Sequence, residues 1–202
     1  MIAKAVDTKT RILDAAEKLF GKNGFDATSL RDITAEADVN LAAVNYHFQS
    51  KDSLIDAVIA RRIEPVNQKR LDMLESAGPD PNLEQILLAF LAPIFVHHPP
   101  PAMDLMGRIM ASPDIFVTRL FKTHLVPIVE RFSEAIAKAV PELSHTEILW
   151  RLHFTAGAMA QTLARTHVLA YMLGVADPPD RPSVLARLIT FCAAGFRAPE
   201  DI

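Results

Sequence analysis

Ser29-Leu30-Arg31-Asp32-Ile33-Thr34-Ala35-Glu36-Ala37-Asp38-Val39-Asn40-Leu41-Ala42-Ala43-Val44-Asn45-Tyr46-His47-Phe48 decides the reading of this chain. Ser29 followed three residues later by Asp32 has the spacing of a capping box, with Asp in the place of the usual Glu. It opens a short helix whose Leu30, Ile33 and Ala37 fall inward. Asn40 caps a second short helix, Leu41 to Phe48, with Val44 and Phe48 facing in. Helices of about two to three turns are marginal alone, so packing must hold both across the tight Asp38-Val39 corner. A short helix pinned across a tight turn, with a polar outward face, is what a helix-turn-helix requires.

Working outward, Ile12, Leu13, Ala16, Leu19 and Phe20 share one face of a preceding helix, Thr8 to Asn23. Gly24 supplies its left-handed stop. Ser50 caps a fourth helix that begins at Lys51. The rest of the chain also reads as helices, without alternating β-branched runs, so an all-α fold is expected.

The 202 residues are half hydrophobic and 22% charged, an ordinary globular balance. The net charge is −3, and residues 1–64 hold 9 Lys+Arg against 10 Asp+Glu. Nucleic-acid binders show a basic surplus as a rule, so any positive face here must be local, with the acids pointing elsewhere. The apolar run Ile86 to Val96 contains Pro93 and is about half the ~20 residues a membrane span needs. No signal-peptide pattern opens the chain, and the lone Cys192 has no internal disulfide partner. These features point to the cytoplasm and to no membrane partner.

The stretch Gly24-Phe25-Asp26-Ala27-Thr28-Ser29-Leu30-Arg31-Asp32-Ile33, then Ala37-Asp38-Val39-Asn40, Asn45-Tyr46-His47-Phe48 and Ser50-Lys51-Asp52-Ser53-Leu54 closely resembles the TetR family of bacterial regulators. The resemblance covers about Thr8 to Ile59. It departs at Asp38, where the family usually has Gly; Asp tolerates the left-handed region better than most residues. It implies an N-terminal three-helix helix-turn-helix domain in 1–50, a linking helix over 51–64, and a larger helical effector-binding and dimerising domain in 65–202. The expected partners are a double-stranded DNA operator, a small-molecule effector and a second copy of the chain. No cofactor, no metal and no catalysis are expected.

In such a module the Leu41 to Phe48 helix enters the major groove with its N-terminal residues nearest the base edges. Asn40 and Asn45 then offer amide donors and acceptors, and Leu41 and Ala42 meet thymine methyls. Thr28, Ser29, Tyr46, His47 and Lys51 are placed to meet phosphates; the resemblance assigns that role most firmly to Tyr46 and Lys51. Capping alone also accounts for Asn40 and Ser29, and the two roles are compatible. Arg31 reads as a solvated charge or a phosphate contact. Lys4, Lys9 and Arg11 read as a basic arm or an unstructured tail.

In the C-terminal part, helices are expected from Leu83 to Phe95, from Pro113 to Ala139 with a kink near Pro127, from the Ser144/Glu147 cap to Leu173, and after Pro182. Leu149, Leu152, His153, Ala156, Ala160, Leu163, Ala164 and His167 lie along one side of the third of these. Leu185, Leu188 and Cys192 recur on the last. Two such helices per subunit would form the four-helix dimer interface that TetR-type proteins use; ordinary packing within one chain is the other reading.

Leu149-Trp150-Arg151-Leu152-His153-Phe154 with Gly157-Ala158 also resembles a TetR subgroup that includes fatty-acid-responsive members. That resemblance implies an acyl or other elongated apolar effector. Phe95, Met106, Met110, Phe121 and Phe154 could line its pocket, with Arg108, Arg151 or a histidine meeting a carboxylate head group. Each could equally be a core side chain or a surface arginine. His97 and His98 lack companions at ligand spacing and read as a helix end. Two other classes stay open: an interaction adaptor that has lost DNA affinity, and an enzyme recruiting His124, Glu130 or His153.

Overall fold

The computed structural model describes residues 7–97, 118, 121–172, 174 and 180–200. Among them the protein is all-α, with no strand. In chain order the helices are α1 (Thr8–Asn23), α2 (Leu30–Ala37), α3 (Leu41–Phe48), α4 (Lys51–Ser76), α5 (Leu83–His97), a π-turn (Phe121–Leu125), α6 (Val126–Ala139), α7 (His145–Met172) and α8 (Arg181–Arg197). The chain divides into two compact units, with the break inside α4 between Glu64 and Pro65.

The first unit is built around a core of its own. Ile12, Ala16 and Phe20 of α1 meet Ile33 and Ala37 of α2, Val44 and Phe48 of α3, and Leu54, Ile55, Val58 and Ile59 of α4. Phe20 and Phe25 lie 5.2 Å apart in a tilted pair, which anchors the α1–α2 loop to that core. Gly24 takes φ 87 and ψ 170, a positive-φ extended conformation open in practice only to glycine, rather than the left-handed helical region. Glu17 is buried and is answered by Arg62, whose Nε donates to its carboxylate at 2.6 Å. Arg61 bonds Asp14 at 2.6 Å, so α4 is tied to α1 by two ion pairs as well as by apolar contact.

In the second unit, α5 packs against α6 and α8, and α7 against α6 and α8. α5 is apolar nearly all round, which is why Ile86, Leu87 and Leu91 are buried without remainder. Phe90 meets Phe132 of α6 edge to face at 5.2 Å. Ile136, Ile148, Leu152, Leu188, Cys192 and Phe196 complete the core. Pro127 sits in the first turn of α6, immediately after the π-turn, so the helix changes type where a kink was expected. Apart from Thr118, the part of the expected Pro113 to Ala139 helix before Phe121 lies outside the described residues.

The Ser144/Glu147 cap of α7 forms only by half. Glu147 N–H donates to Ser144 Oγ at 3.2 Å, but the Glu147 carboxylate turns to Arg151 and the Ser144 N–H to Glu200. α8 is capped by Asp180, whose carboxylate accepts from Ser183 N at 2.8 Å. No helix among the described residues is long and apolar enough to cross a membrane.

Candidate nucleic-acid interface

The expected capping box is present in full. Asp32 N–H donates to Ser29 Oγ at 3.2 Å, and Ser29 N–H donates to the Asp32 carboxylate at 2.8 Å. Those bonds hold the Asp32 pKa below its ordinary value, through the Ser29 hydroxyl first and its main-chain N–H second. Asp38 then turns the chain at φ 51, ψ 55, in the left-handed region anticipated for it. Arg11 of α1 clamps this corner: its Nη2 donates to Ala37 O at 2.6 Å, Asp38 O at 2.7 Å and the Asp38 carboxylate at 3.1 Å. Arg11 is therefore a brace of the turn rather than part of a free arm.

α3 begins at Asn40, whose Oδ1 accepts from Ala43 N at 2.8 Å. Its amide NH2 keeps its donors, so capping and base recognition are compatible as anticipated. Val44 and Phe48 are buried and fix the rotation of the helix. That rotation leaves Leu41, Ala42, Asn45 and Tyr46 outside; Tyr46 is 83% exposed, its ring edge-on to the half-buried His47 at 5.1 Å. A tyrosine so exposed adds little to the core, and its hydroxyl has no partner among the described residues. Ser29 is exposed at the start of α2, with its hydroxyl engaged by Asp32 at 2.6 Å. Lys51 is half-buried in the first turn of α4, which Ser50 caps through Ser53 N at 3.1 Å.

Thr28 departs from expectation. It has no exposed surface, and its hydroxyl donates to Gly24 O at 2.8 Å, closing the carbonyl end of α1. It cannot reach a phosphate without leaving that bond. Adjacent Ser and Thr at a helix start look alike in sequence, and only the packing of the loop decides which turns inward.

Gln49, between α3 and α4, was not singled out by sequence. It adopts φ 62, ψ −38, and Ser50 N–H donates across it to Phe48 O at 2.7 Å. This is the strained form of the γ-turn, rare outside glycine and frequent where a loop must aim a side chain. Nothing in the residue types around Gln49 announces it.

The near-neutral charge of the first unit now has an account. Asp14, Glu17, Glu36 and Asp38 each pair with Arg61, Arg62, Lys18 and Arg11 respectively. Four of the ten acids and four of the nine bases of residues 1–64 thus cancel within the scaffold. Arg31 and Lys51 pair with no carboxylate among the described residues.

The expected dimer and effector residues separate into distinct groups. Leu152, Leu188 and Cys192 are buried within the protomer's own core, and Leu163 and Leu185 are packed against it. Leu152, Leu188 and Cys192 thus face inward, while Leu163 and Leu185 keep part of their surface exposed. Burial pushes the Cys192 thiol pKa up, against a hydrogen bond with Thr155. Leu149, His153, Ala160 and Ala164 are exposed, with Ala156 half-buried. Trp150, Gly157, Val168, Tyr171 and Met172 join them along one face of α7, and Phe191 is 71% exposed on α8.

Phe154, expected to line a pocket, lies on this outer face and stacks on Trp150 at 5.8 Å. Arg151, expected to meet a carboxylate ligand, is buried and already engaged. It bonds Glu147 at 2.7 Å and the main-chain oxygens of Gly195 and Ala198 at 2.7 Å each and of Pro199 at 3.2 Å. Phe95 is a core side chain. Met106, Arg108 and Met110 lie outside the described residues, as do the side chains of Phe121 and His167. A cleft of about 630 Å³ opens between the α4–α5 turn, α6 and Arg197; Phe95, Arg151 and Phe154 do not line it. Among the described residues no three His, Cys, Asp or Glu side chains cluster as for a metal.

An exposed amide-bearing second helix on a buried, braced turn is the arrangement of a DNA-binding helix-turn-helix. Residues 12–58 match the family model for bacterial regulatory proteins of the tetR family, and residues 97–195 match the tetracyclin repressor-like C-terminal domain. The chain belongs to the TetR family of transcription regulators.

Among curated relatives, it is 32% identical over 82 residues to the probable HTH-type transcriptional regulator YttP of Bacillus subtilis, covering 41% of this chain and 40% of that one. It is 28% identical over 134 residues to the regulator SrpR of Pseudomonas putida, covering 66% of this chain and 60% of that one. These matches therefore span less than two thirds of either relative. The repressor BepR of Brucella suis is 24% identical over 184 residues, 91% of this chain and 71% of that protein. In fold, the chain is similar to a tetR-family regulatory protein from Rhodococcus RHA1, with a TM-score of 0.66 at 18% identity over 98% of this chain and 100% of that one. Salmonella enterica GusR gives a TM-score of 0.66 at 20% identity, with 98% and 99% covered.

Proposed function

We propose that the protein acts as a homodimer that binds a partly palindromic operator and releases it when a small molecule enters the part of the chain from Pro65 onward. The observation that carries this reading is the outer face of α3: Asn40, Leu41, Ala42, Asn45 and Tyr46 exposed above buried Val44 and Phe48. Residues 1–50 form the DNA-reading domain, 51–64 the link, and 65–202 the effector-binding and dimerising domain. Asn40 and Asn45 read base edges, Leu41 and Ala42 meet thymine methyls, and Ser29, Tyr46, His47 and Lys51 meet phosphates.

The exposed apolar face of α7 with Phe191 of α8 supports dimerisation. Contiguous apolar surface of this kind on a protomer marks a protein contact, and a two-fold contact places recognition helices about 34 Å apart on successive half-sites. Repression is the favoured sign, as the name of the Brucella suis relative states for that protein. The effector is an elongated, largely apolar molecule, and it acts only through its differential affinity for operator-competent and operator-incompetent states. The reaction-free reading, with no cofactor, places the protein in the cytoplasm beside its DNA.

The test is fluorescence anisotropy on labelled DNA from immediately upstream of the coding sequence, at two salt concentrations, against unrelated competitor. Specific, salt-sensitive binding with two subunits per site is expected. Tyr46→Ala should weaken it by about tenfold, the loss of one phosphate hydrogen bond, with an unchanged melting temperature. If neither this fragment nor a random library yields a preferred site, the reading fails in favour of an interaction adaptor.

A further inference from the structure

Two arginines are buried among the described residues of the second unit, and they differ in one respect. Arg151 has a carboxylate partner in Glu147. Arg70 of α4, only 4% exposed, has none among the described residues. Its Nε donates to Phe90 O at 2.8 Å, its Nη1 to Asn67 Oδ1 at 3.1 Å, and its guanidinium lies 4.5 Å above the Phe90 ring. No described residue accepts a hydrogen bond from its Nη2. Asn67, itself buried, donates to His124 O at 2.7 Å, inside the π-turn.

The guanidinium is thus held on one face by an aromatic ring and on its edges by a carbonyl and an amide, with donors left over. Burial lowers its pKa to about 10, so it still carries its charge at neutral pH. An interior cation without an anion opposes folding, and the ring and the two neutral hydrogen-bond acceptors offset that only in part. Phe90 O could be satisfied by any donor of suitable length; it does not require a charge. Short π-turns inside helices recur at functional sites, and this one is joined to Arg70 through Asn67.

We infer that Arg70 is the anion-binding residue of the effector site, and that the effector is a carboxylate with an apolar body. This rests on the reading of the second unit as effector-binding. The carboxylate takes the free edge of the guanidinium in a charge-assisted pair, the arrangement for which an arginine fork is suited. Among the described residues no carboxylate meets that charge, and the ligand supplies one.

The test uses the full chain and matched probes: straight-chain carboxylates from acetate to palmitate, and benzoate, each beside the alcohol of the same skeleton. At least one carboxylate should raise Tm while its alcohol does not, and Arg70→Gln should weaken that binding by about tenfold or more. Without ligand, Arg70→Gln and Arg70→Met should melt at or above the temperature of the unsubstituted protein, because an unpaired charge has been removed. The inference is overturned if no carboxylate raises Tm, if alcohols do equally well, or if Arg70→Gln keeps the shift. It is also overturned if both variants melt well below the parent, which would make Arg70 a brace of the fold. Operator binding measured on the same samples without ligand separates the two readings. Intact operator binding with no carboxylate effect sinks the anion site alone; absent operator binding by the parent sinks the regulator reading.

Discussion

α3 and α7 both hold large apolar side chains out to solvent, and they do so in different ways. α3 has two buried anchors, Val44 and Phe48, and its exposed Leu41 and Tyr46 stand singly among amides. α7 is 28 residues long and apolar on two sides. One side, with Ile148 and Leu152, closes the core; the other runs from Leu149 and Trp150 through Phe154 to Tyr171 and Met172. On a short helix two inward residues leave no freedom about what faces out. On a long helix clad on both sides, spacing names the stripes but not which is covered by the chain itself.

That contrast can be tested from its strongest element down. Phe132→Ala, at a fully buried ring in α6, should destabilise the second unit by about 3–5 kcal/mol in a denaturant melt. If it is tolerated, the core assigned to α7's inner side is wrong. Trp150→Glu, on the outer side, should leave the protomer folded but weaken self-association by about a hundredfold or more, read by sedimentation. A dimer undisturbed by that charge would place the contact elsewhere.

Gln49→Gly should remove the strain of the γ-turn and raise stability by about 1 kcal/mol, while loosening the aim of α3 and reducing operator affinity. The smallest effect is the pH response of the α2 cap. The folded pKa of Asp32 is depressed, so its contribution is present above the unfolded pKa and is lost as pH falls through the folded one. Asp32→Asn should flatten the part of the melting profile that falls as pH drops from the ordinary aspartate pKa through the lowered folded one.

The first unit was largely legible because its residues are local signals. Ser29 with Asp32, Asn40, Ser50 and Asp38 each act within three or four positions of themselves, and the caps and the left-handed corner appear where the spacing puts them. What escaped needed three dimensions. Thr28 turned inward to α1's last carbonyls, Gln49 took a strained turn, and Arg11 reached across 26 residues to the corner. In the second unit, Arg151 pointed to a ligand by its charge and its neighbours. Only packing reveals that the main-chain oxygens of Gly195, Ala198 and Pro199 already occupy it, and that Arg70, with no special sequence context, is buried with no carboxylate partner among the described residues.

The clamp at Asp38 has a consequence for how such a sequence can change. Two of the three acceptors that Arg11 holds there are main-chain oxygens, which every residue type supplies. Aspartate and glycine codons differ by a single base, and both residues enter the left-handed region. The corner can therefore drift between them in one mutational step, losing only the exposed Arg11–Asp38 ion pair, and a lineage need pass through no misfolded ancestor to do so.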